Sequence, residues 1–286
     1  MTKVPMEKSY DRVVREIAYA RNGACRATGD LFIPEQPRSA VPVLLIHGGG
    51  WNAASKEFFE FMLPIFALAG RPVFNINYRY LSQARWPACL EDALAAARFV
   101  LEGGLSHEGL PTPSRLLICG ASAGGHLAMM TGLGLPGACV EGIVSMAGPS
   151  RLDWLAQYRD PLGMHNGFLP RFFGREVLPN GPEVAAASPA LCVKGRREAP
   201  PALYCLHSTR DLLCPARYSE EAVRVWKEAG GEAMAHYFEG EGDFHGFWVN
   251  SDRESDILQP EVLIFFARVF NDLARRAALK AVLAVL

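Results

Sequence analysis

Six apolar runs rich in strand-forming residues, at 41–46, 72–77, 115–119, 142–146, 202–207 and 233–238, alternate along this chain with longer stretches of helical period. Short apolar strands separated by helices leave few arrangements open, because each strand must be covered on both faces. The pattern predicts an α/β fold with a mostly parallel central sheet and helices on both sides. Helices are expected at 57–69, 87–102, 124–133 and 217–229, with a packing helix at 257–270. Pro87 suits a first helical turn, and Gly103-Gly104 suits a stop. Ahead of the first buried strand, segments 13–19 and 25–33 flank Arg21-Asn22-Gly23, where Asn-Gly is a hairpin signal. An antiparallel edge hairpin is therefore expected to lead into the parallel sheet.

With 286 residues, half of them hydrophobic, the chain can bury a full core, and one domain over 1–286 is the simplest division. The alternation breaks only at 148–200, a stretch rich in Pro, Gly and aromatic residues and too long for a plain connection. It reads as a small, partly helical cap insertion over a site. The formal charge of −1, with Lys and Arg scattered, excludes the basic footprint of a nucleic-acid or anionic-membrane partner. No apolar run approaches the roughly 18 residues that would insert into a membrane. The N-terminus lacks a secretory pattern, so a cytoplasmic location is expected. The seven cysteines are dispersed and lack C-x-x-C pairs, which reads as small buried hydrophobes in a reducing compartment. The apolar tail 277–286 offers a contact for a homodimer.

The sharpest motif is Gly120-Ala121-Ser122-Ala123-Gly124, placed directly after the strand 115–119 and before a helical segment. A nucleophile on a tight strand-to-helix turn needs almost no side-chain bulk on either side, because the backbone is strained and its neighbours approach closely. The following helix aims free N–H groups at any oxyanion that forms. A Gly-rich turn with a merely capping serine is the bland alternative. His47-Gly48-Gly49-Gly50-Trp51 stands at the end of another buried strand. Its glycines let N–H groups of Gly49 and Gly50 join that of Ala123 in a three-donor oxyanion hole. A phosphate loop is the competing reading, but neither G-x-x-x-x-G-K-[ST] nor G-x-G-x-x-G follows. His47 reads as a structural histidine that holds the loop.

Where a nucleophile sits on such a turn, the acid and then the base follow it in the chain. Asp211, in the loop after the strand 202–207, fits the acid, and His245, in a flexible turn beyond the last strand, fits the base. Asp243 lies too close in sequence to reach the far nitrogen of His245. His207, at a strand end, reads as a loop-fixing histidine, and His236 lies within a strand. Neutral His245 would take the Ser122 proton, so activity should rise with pH as imidazoles lose their charge. No metal or organic cofactor is called for.

These motifs resemble the esterase branch of the α/β-hydrolases, near the carboxylesterases and hormone-sensitive-lipase-like enzymes, marked by His-Gly-Gly-Gly and a G-x-S-A-G-G elbow. The likeness runs over 41–247 and takes in Asn77-Tyr78-Arg79-Tyr80 and Pro87-Ala88-Cys89-Leu90-Glu91-Asp92-Ala93. It departs at Ala121, where the family commonly carries an aspartate. The resemblance implies the α/β-hydrolase fold, a triad of Ser122, Asp211 and His245, and a small ester or amide as substrate. His47-Gly48-Gly49-Gly50-Trp51 also satisfies the His-Gly-Gly-x-Trp pattern of kynurenine formamidases, which cleave an N-formyl amide with the same parts. Trp51, Trp154 and Phe247 are candidates for the pocket wall, with Tyr158, Phe168, Phe172, Phe173 and Trp248 nearby in the cap and the last loop. A non-catalytic small-molecule binder on the same fold is the alternative of another class.

Overall fold

The computed structural model describes residues 10–20, 26–239, 245, 246, 248 and 260–283. Among them, eight strands make one sheet: β1 (Arg12–Ala18), β2 (Thr28–Ile33), β3 (Val43–Ile46), β4 (Val73–Ile76), β5 (Leu116–Ala121), β6 (Val140–Met146), β7 (Leu203–Ser208) and β8 (Ala233–Phe238). Their spatial order is β1-β2-β4-β3-β5-β6-β7-β8. β2 runs antiparallel to both β1 and β4, and all other neighbours are parallel. The sheet is thus the mostly parallel one that the alternation predicts, with its antiparallel hairpin at one edge. The Arg21-Asn22-Gly23 turn lies outside the described residues.

Nine helices accompany the described strands: α1 (Leu63–Leu68), α2 (Ala88–Leu101), α3 (Ala123–Gly134), α4 (Leu152–Gln157), α5 (Phe168–Phe173), α6 (Pro182–Ala186), α7 (Pro189–Cys192), α8 (Arg217–Glu228) and α9 (Pro260–Leu283). The strands feed the two sheet faces alternately. Leu44, Ile46, Leu116 and Ile118 pack into one core layer with residues of α2, α3 and α8. Val43, Leu45, Leu117 and Cys119 pack into the other with α1 and α9. Each such side chain taken fully from water contributes about 1.5–3 kcal/mol. That two-sided burial is why the parallel strands read as continuous apolar runs rather than as alternating ones.

The helix expected over 57–69 is split into a 3₁₀ stretch, Lys56–Met62, and α1. Pro64 explains the break: it has no N–H to donate, so it fits the first turn of α1 but not the interior of a longer helix. From residue 260 on, the expected 257–270 helix falls within α9, which is described over Pro260–Leu283 and takes in part of the apolar tail; 257–259 lie outside the described residues. The stretch 148–200 carries the short helices α4 to α7. No helix among the described residues is long and apolar enough to cross a membrane.

α3 is buried along almost its whole length, and its first turn lies against the end of β3. A Cβ on Gly124 would stand 2.1 Å from the Ile46 carbonyl oxygen and 2.4 Å from that of His47. Both obstacles are backbone, so neither can rotate away. Gly124→Ala should therefore cost roughly 3 kcal/mol through overpacking. A urea unfolding midpoint that falls at unchanged slope checks this; an unchanged midpoint refutes it.

Candidate active site

Ser122 joins β5 directly to α3, with φ 55° and ψ −123°. L-residues visit such a region rarely, at a cost of about 1–3 kcal/mol, and hold it only when their surroundings leave no alternative. Here the Ser122 N–H donates to the Met146 carbonyl at 2.7 Å, and its own carbonyl accepts from the His126 N–H at 3.0 Å. The two flanking glycines meet across the turn: a Cβ on Gly120 would lie 2.2 Å from the Gly124 oxygen. The Ser122 hydroxyl makes no capping bond to α3. It is aimed instead at His245, whose Nε2 lies 2.7 Å from Oγ.

Across the imidazole, His245 Nδ1 stands 2.7 Å from Asp211 Oδ2. A carboxylate oxygen accepts only, so Nδ1 carries the ring proton and Nε2 is free to accept from the serine. Asp211 follows β7 and is buried. Its Oδ1 accepts from the N–H groups of Leu213 at 2.9 Å and Cys214 at 2.7 Å. Burial alone would raise its pKa, but His207, His245 and the Cys214 amide outweigh that and hold the carboxyl well below its usual range. His207 is a fixing group: it donates from Nε2 to the Cys214 carbonyl at 2.6 Å and meets Ser219 Oγ at 2.7 Å through Nδ1. His236 lies in β8, its Nδ1 3.3 Å from Arg268. Asp243 is outside the described residues.

The glycine loop after β3 is braced from behind. The Tyr78 hydroxyl donates to the carbonyls of His47 and Gly48 at 3.1 and 3.0 Å, and the His47 ring stacks on Tyr78 at 4.4 Å. Gly49 and Gly50 line the cavity beside Ala123. Ala123 opens α3, so its N–H has no partner within the helix. At Gly49 the φ of +100° would put a Cβ 2.0 Å from the Ala53 oxygen, so only glycine is accommodated. Burial holds both His47 and His126 down to about 4, which keeps them neutral. His126 was not singled out in the sequence, although it follows the elbow by one turn of α3. It donates from Nε2 to the Ala187 carbonyl at 2.8 Å and leaves Nδ1 to accept from Trp51 Nε1 at 3.2 Å. The Asn77–Tyr80 and Pro87–Ala93 landmarks meet as one buried pair, with Asp92 accepting from the Arg79 N–H at 2.8 Å and from its guanidinium.

Ser122, His245, the glycine loop and Ala123 open onto one cavity of about 830 Å³. Trp51, Phe58, Phe59, Phe168 and Trp248 form much of its apolar wall. Trp154 requires a correction, since it does not line this space. Its ring packs on Tyr218 at 5.9 Å under the guanidiniums of Arg151 and Arg217, and an indole clamped there cannot also face the serine. Phe172 is likewise turned away, buried between Trp51 and Trp86, and Tyr158 donates to the Leu212 carbonyl. Phe247 lies outside the described residues. Arg85, Met164, His165 and Arg171 line the cavity without having been expected, because no local motif marks a residue that reaches a site from a distant loop. Cys214 also lines the cavity, and burial pushes its thiol pKa up, which keeps it protonated. Among the described residues, one group of three carboxylates converges, Glu16, Asp30 and Glu57, and the Lys56 ammonium already lies among them, 2.6 Å from Glu57 and 3.3 Å from Asp30.

Because the folded carboxyl of Asp211 ionises below its unfolded value, its contribution to stability is complete above the ordinary carboxylate pKa and is lost as the pH falls towards the depressed one. Wild type should therefore exceed Asp211→Asn in stability near neutrality. The difference should shrink steadily between about pH 5 and pH 2, read by urea unfolding at each pH. A gap that stays constant over that window contradicts the assignment.

The BD-FAE family model matches residues 30–225. The probable isoprenylcysteine alpha-carbonyl methylesterase ICME of Oryza sativa subsp. japonica is 26% identical over 244 residues, covering 80% of this chain and 57% of that protein. Esterase LipC of Mycobacterium tuberculosis is 28% identical over 228 residues, covering 74% of this chain and 55% of that one. The chain thus spans little more than half the length of these curated relatives. A solved structure, a truncated form of a carbohydrate esterase from gut microbiota, matches 96% of this chain and all of that one with a TM-score of 0.75 at 21% identity, a likeness of fold. The strand order, the helices on both faces and the family match over most of the chain lead to one assignment: this protein belongs to the BD-FAE family, within the α/β-hydrolase superfamily.

Proposed function

We propose that this protein is a serine esterase that cleaves small carboxylic esters through an acyl-enzyme on Ser122. The observation that carries this reading is the unbroken relay from Ser122 Oγ through His245 to Asp211, with both links at 2.7 Å, at the wall of a largely apolar cavity. In the first half-reaction Nε2 takes the Oγ proton as Oγ bonds to the ester carbonyl carbon. The amides of Gly49, Gly50 and Ala123 receive the oxyanion, and Asp211 stabilises the imidazolium. The intermediate collapses as His245 returns that proton to the departing alcohol. Water then repeats the sequence on the acyl-enzyme.

The relatives named as esterases support the reaction class, and the His-Gly-Gly-Gly loop supports a place near the carboxylesterases and hormone-sensitive-lipase-like enzymes. In this reading 148–200 is the cap of a single hydrolase domain: α5 brings Phe168 and Arg171 to the cavity, and the adjoining loop brings Met164 and His165. Aryl formamidase remains the second reading because Trp51 of the His-Gly-Gly-x-Trp pattern lies in the cavity wall, where it could hold an aromatic ring.

A fluorophosphonate should label Ser122 in the wild type and leave Ser122→Ala unlabelled. Ser122→Ala and His245→Ala should each lower kcat on the order of 10⁶-fold, and Asp211→Asn on the order of 10⁴-fold. Retention of labelling and turnover by Ser122→Ala refutes the proposal, and with no labelling of the wild type the non-catalytic binder takes its place. Assayed side by side, 4-nitrophenyl acetate and butyrate should give a higher kcat/KM than N-formylkynurenine; the reverse order selects the formamidase.

A further inference from the structure

Two arginines line the cavity with no carboxylate beside them among the described residues. Arg85 and Arg171 both line the space that holds Ser122, and no aspartate or glutamate among the described residues lines it with them. Neither is in an ion pair with a carboxylate among the described residues. Asp160, in the loop that carries Met164 and His165, is committed to that loop. It accepts from the N–H groups of Leu162, Met164 and His165 at 2.8–3.0 Å and lies 3.2 Å from His165 Nδ1.

Both arginines are also held in place by the backbone. Arg85 donates from Nη1 to the Arg171 carbonyl at 2.7 Å, and its stem lies over Gly174, where a Cβ would come within 2.7 Å of Arg85 Cγ. The Trp86 N–H donates to the Phe172 carbonyl at 3.1 Å, which ties the same loop to α5. Arg171 donates from Nη2 to the Met164 carbonyl at 2.5 Å. Both side chains are exposed to solvent, and each guanidinium spends one donor on the main chain and keeps others for a ligand. A planar fork of donors matches a carboxylate better than any neutral group.

We propose that Arg85 and Arg171 form an anion-binding wall, and that the substrate is an ester carrying a carboxylate away from the bond that is cleaved. This deepens the esterase reading and rests on it. The arginines are specificity determinants that take no part in proton transfer, so they act on KM more than on kcat.

Matched pairs test the idea on the acyl and the alcohol side: 4-nitrophenyl hydrogen adipate against 4-nitrophenyl methyl adipate, and 4-acetoxybenzoate against methyl 4-acetoxybenzoate. In at least one pair the carboxylate member should be preferred about tenfold or more in kcat/KM, through KM, and added salt should compress the preference. In the double variant Arg85→Met, Arg171→Met, which keeps the stems, the ratio within that pair should fall about tenfold. A ratio cancels any general loss from the substitutions, and Arg171→Lys should retain part of the preference. Turnover of neutral esters with no preference in either pair, or a preference that survives in the double variant, overturns this inference and leaves the esterase reading intact. Absence of any turnover together with absence of Ser122 labelling overturns both.

Discussion

The contact between the first turn of α3 and the end of β3 fixes everything that follows. Gly124 lies so close to the carbonyls of Ile46 and His47 that even a methyl group has no room. Because the elbow and the glycine loop are pressed together there, Ser122, Gly49 and Gly50 come to share one cavity. The strain at Ser122 is sustained by the same packing, since both of its backbone polar groups are bonded to elements that cannot move independently.

Around that junction the histidines divide by environment. His47 and His126 are buried among apolar and aromatic groups, and desolvation keeps them uncharged, so they serve as rigid hydrogen-bonding parts that hold a loop and an indole. His245 differs because an ionised carboxylate faces one of its nitrogens and a hydroxyl the other. The surroundings of Asp211 complete the division: two backbone N–H groups on Oδ1 leave Oδ2 for the imidazole and keep the charge in place.

The cavity draws its walls from parts of the chain that are far apart, namely the glycine loop, the 3₁₀ stretch after it, the loop before α2, and α5. Its apolar lining suits a small organic substrate, and Arg85 and Arg171 line one side with no carboxylate beside them among the described residues. That side is built where the loop before α2 is bonded to α5.

Much of this was open to a reader of the chain alone. The strands announced themselves because two-sided burial makes them continuous apolar runs, and the elbow did so because its glycines must be local to the serine they serve. Asp211 and His245 could be named as candidate partners of Ser122 from their place after the later strands, and the folded chain brings the three side chains within hydrogen-bonding distance. The split at Pro64 was also within reach, since proline's missing N–H is a local property. By contrast, nothing local in the chain tells where Trp154, Arg85, His126, His165 and Arg171 lie relative to the cavity. Whether an aromatic ring faces a cavity or a guanidinium, and whether an arginine meets a carboxylate, depends on which distant segments pack beside it. Local backbone chemistry is written in neighbouring residues, whereas the lining of a cavity is set by side chains that only the folded chain brings together.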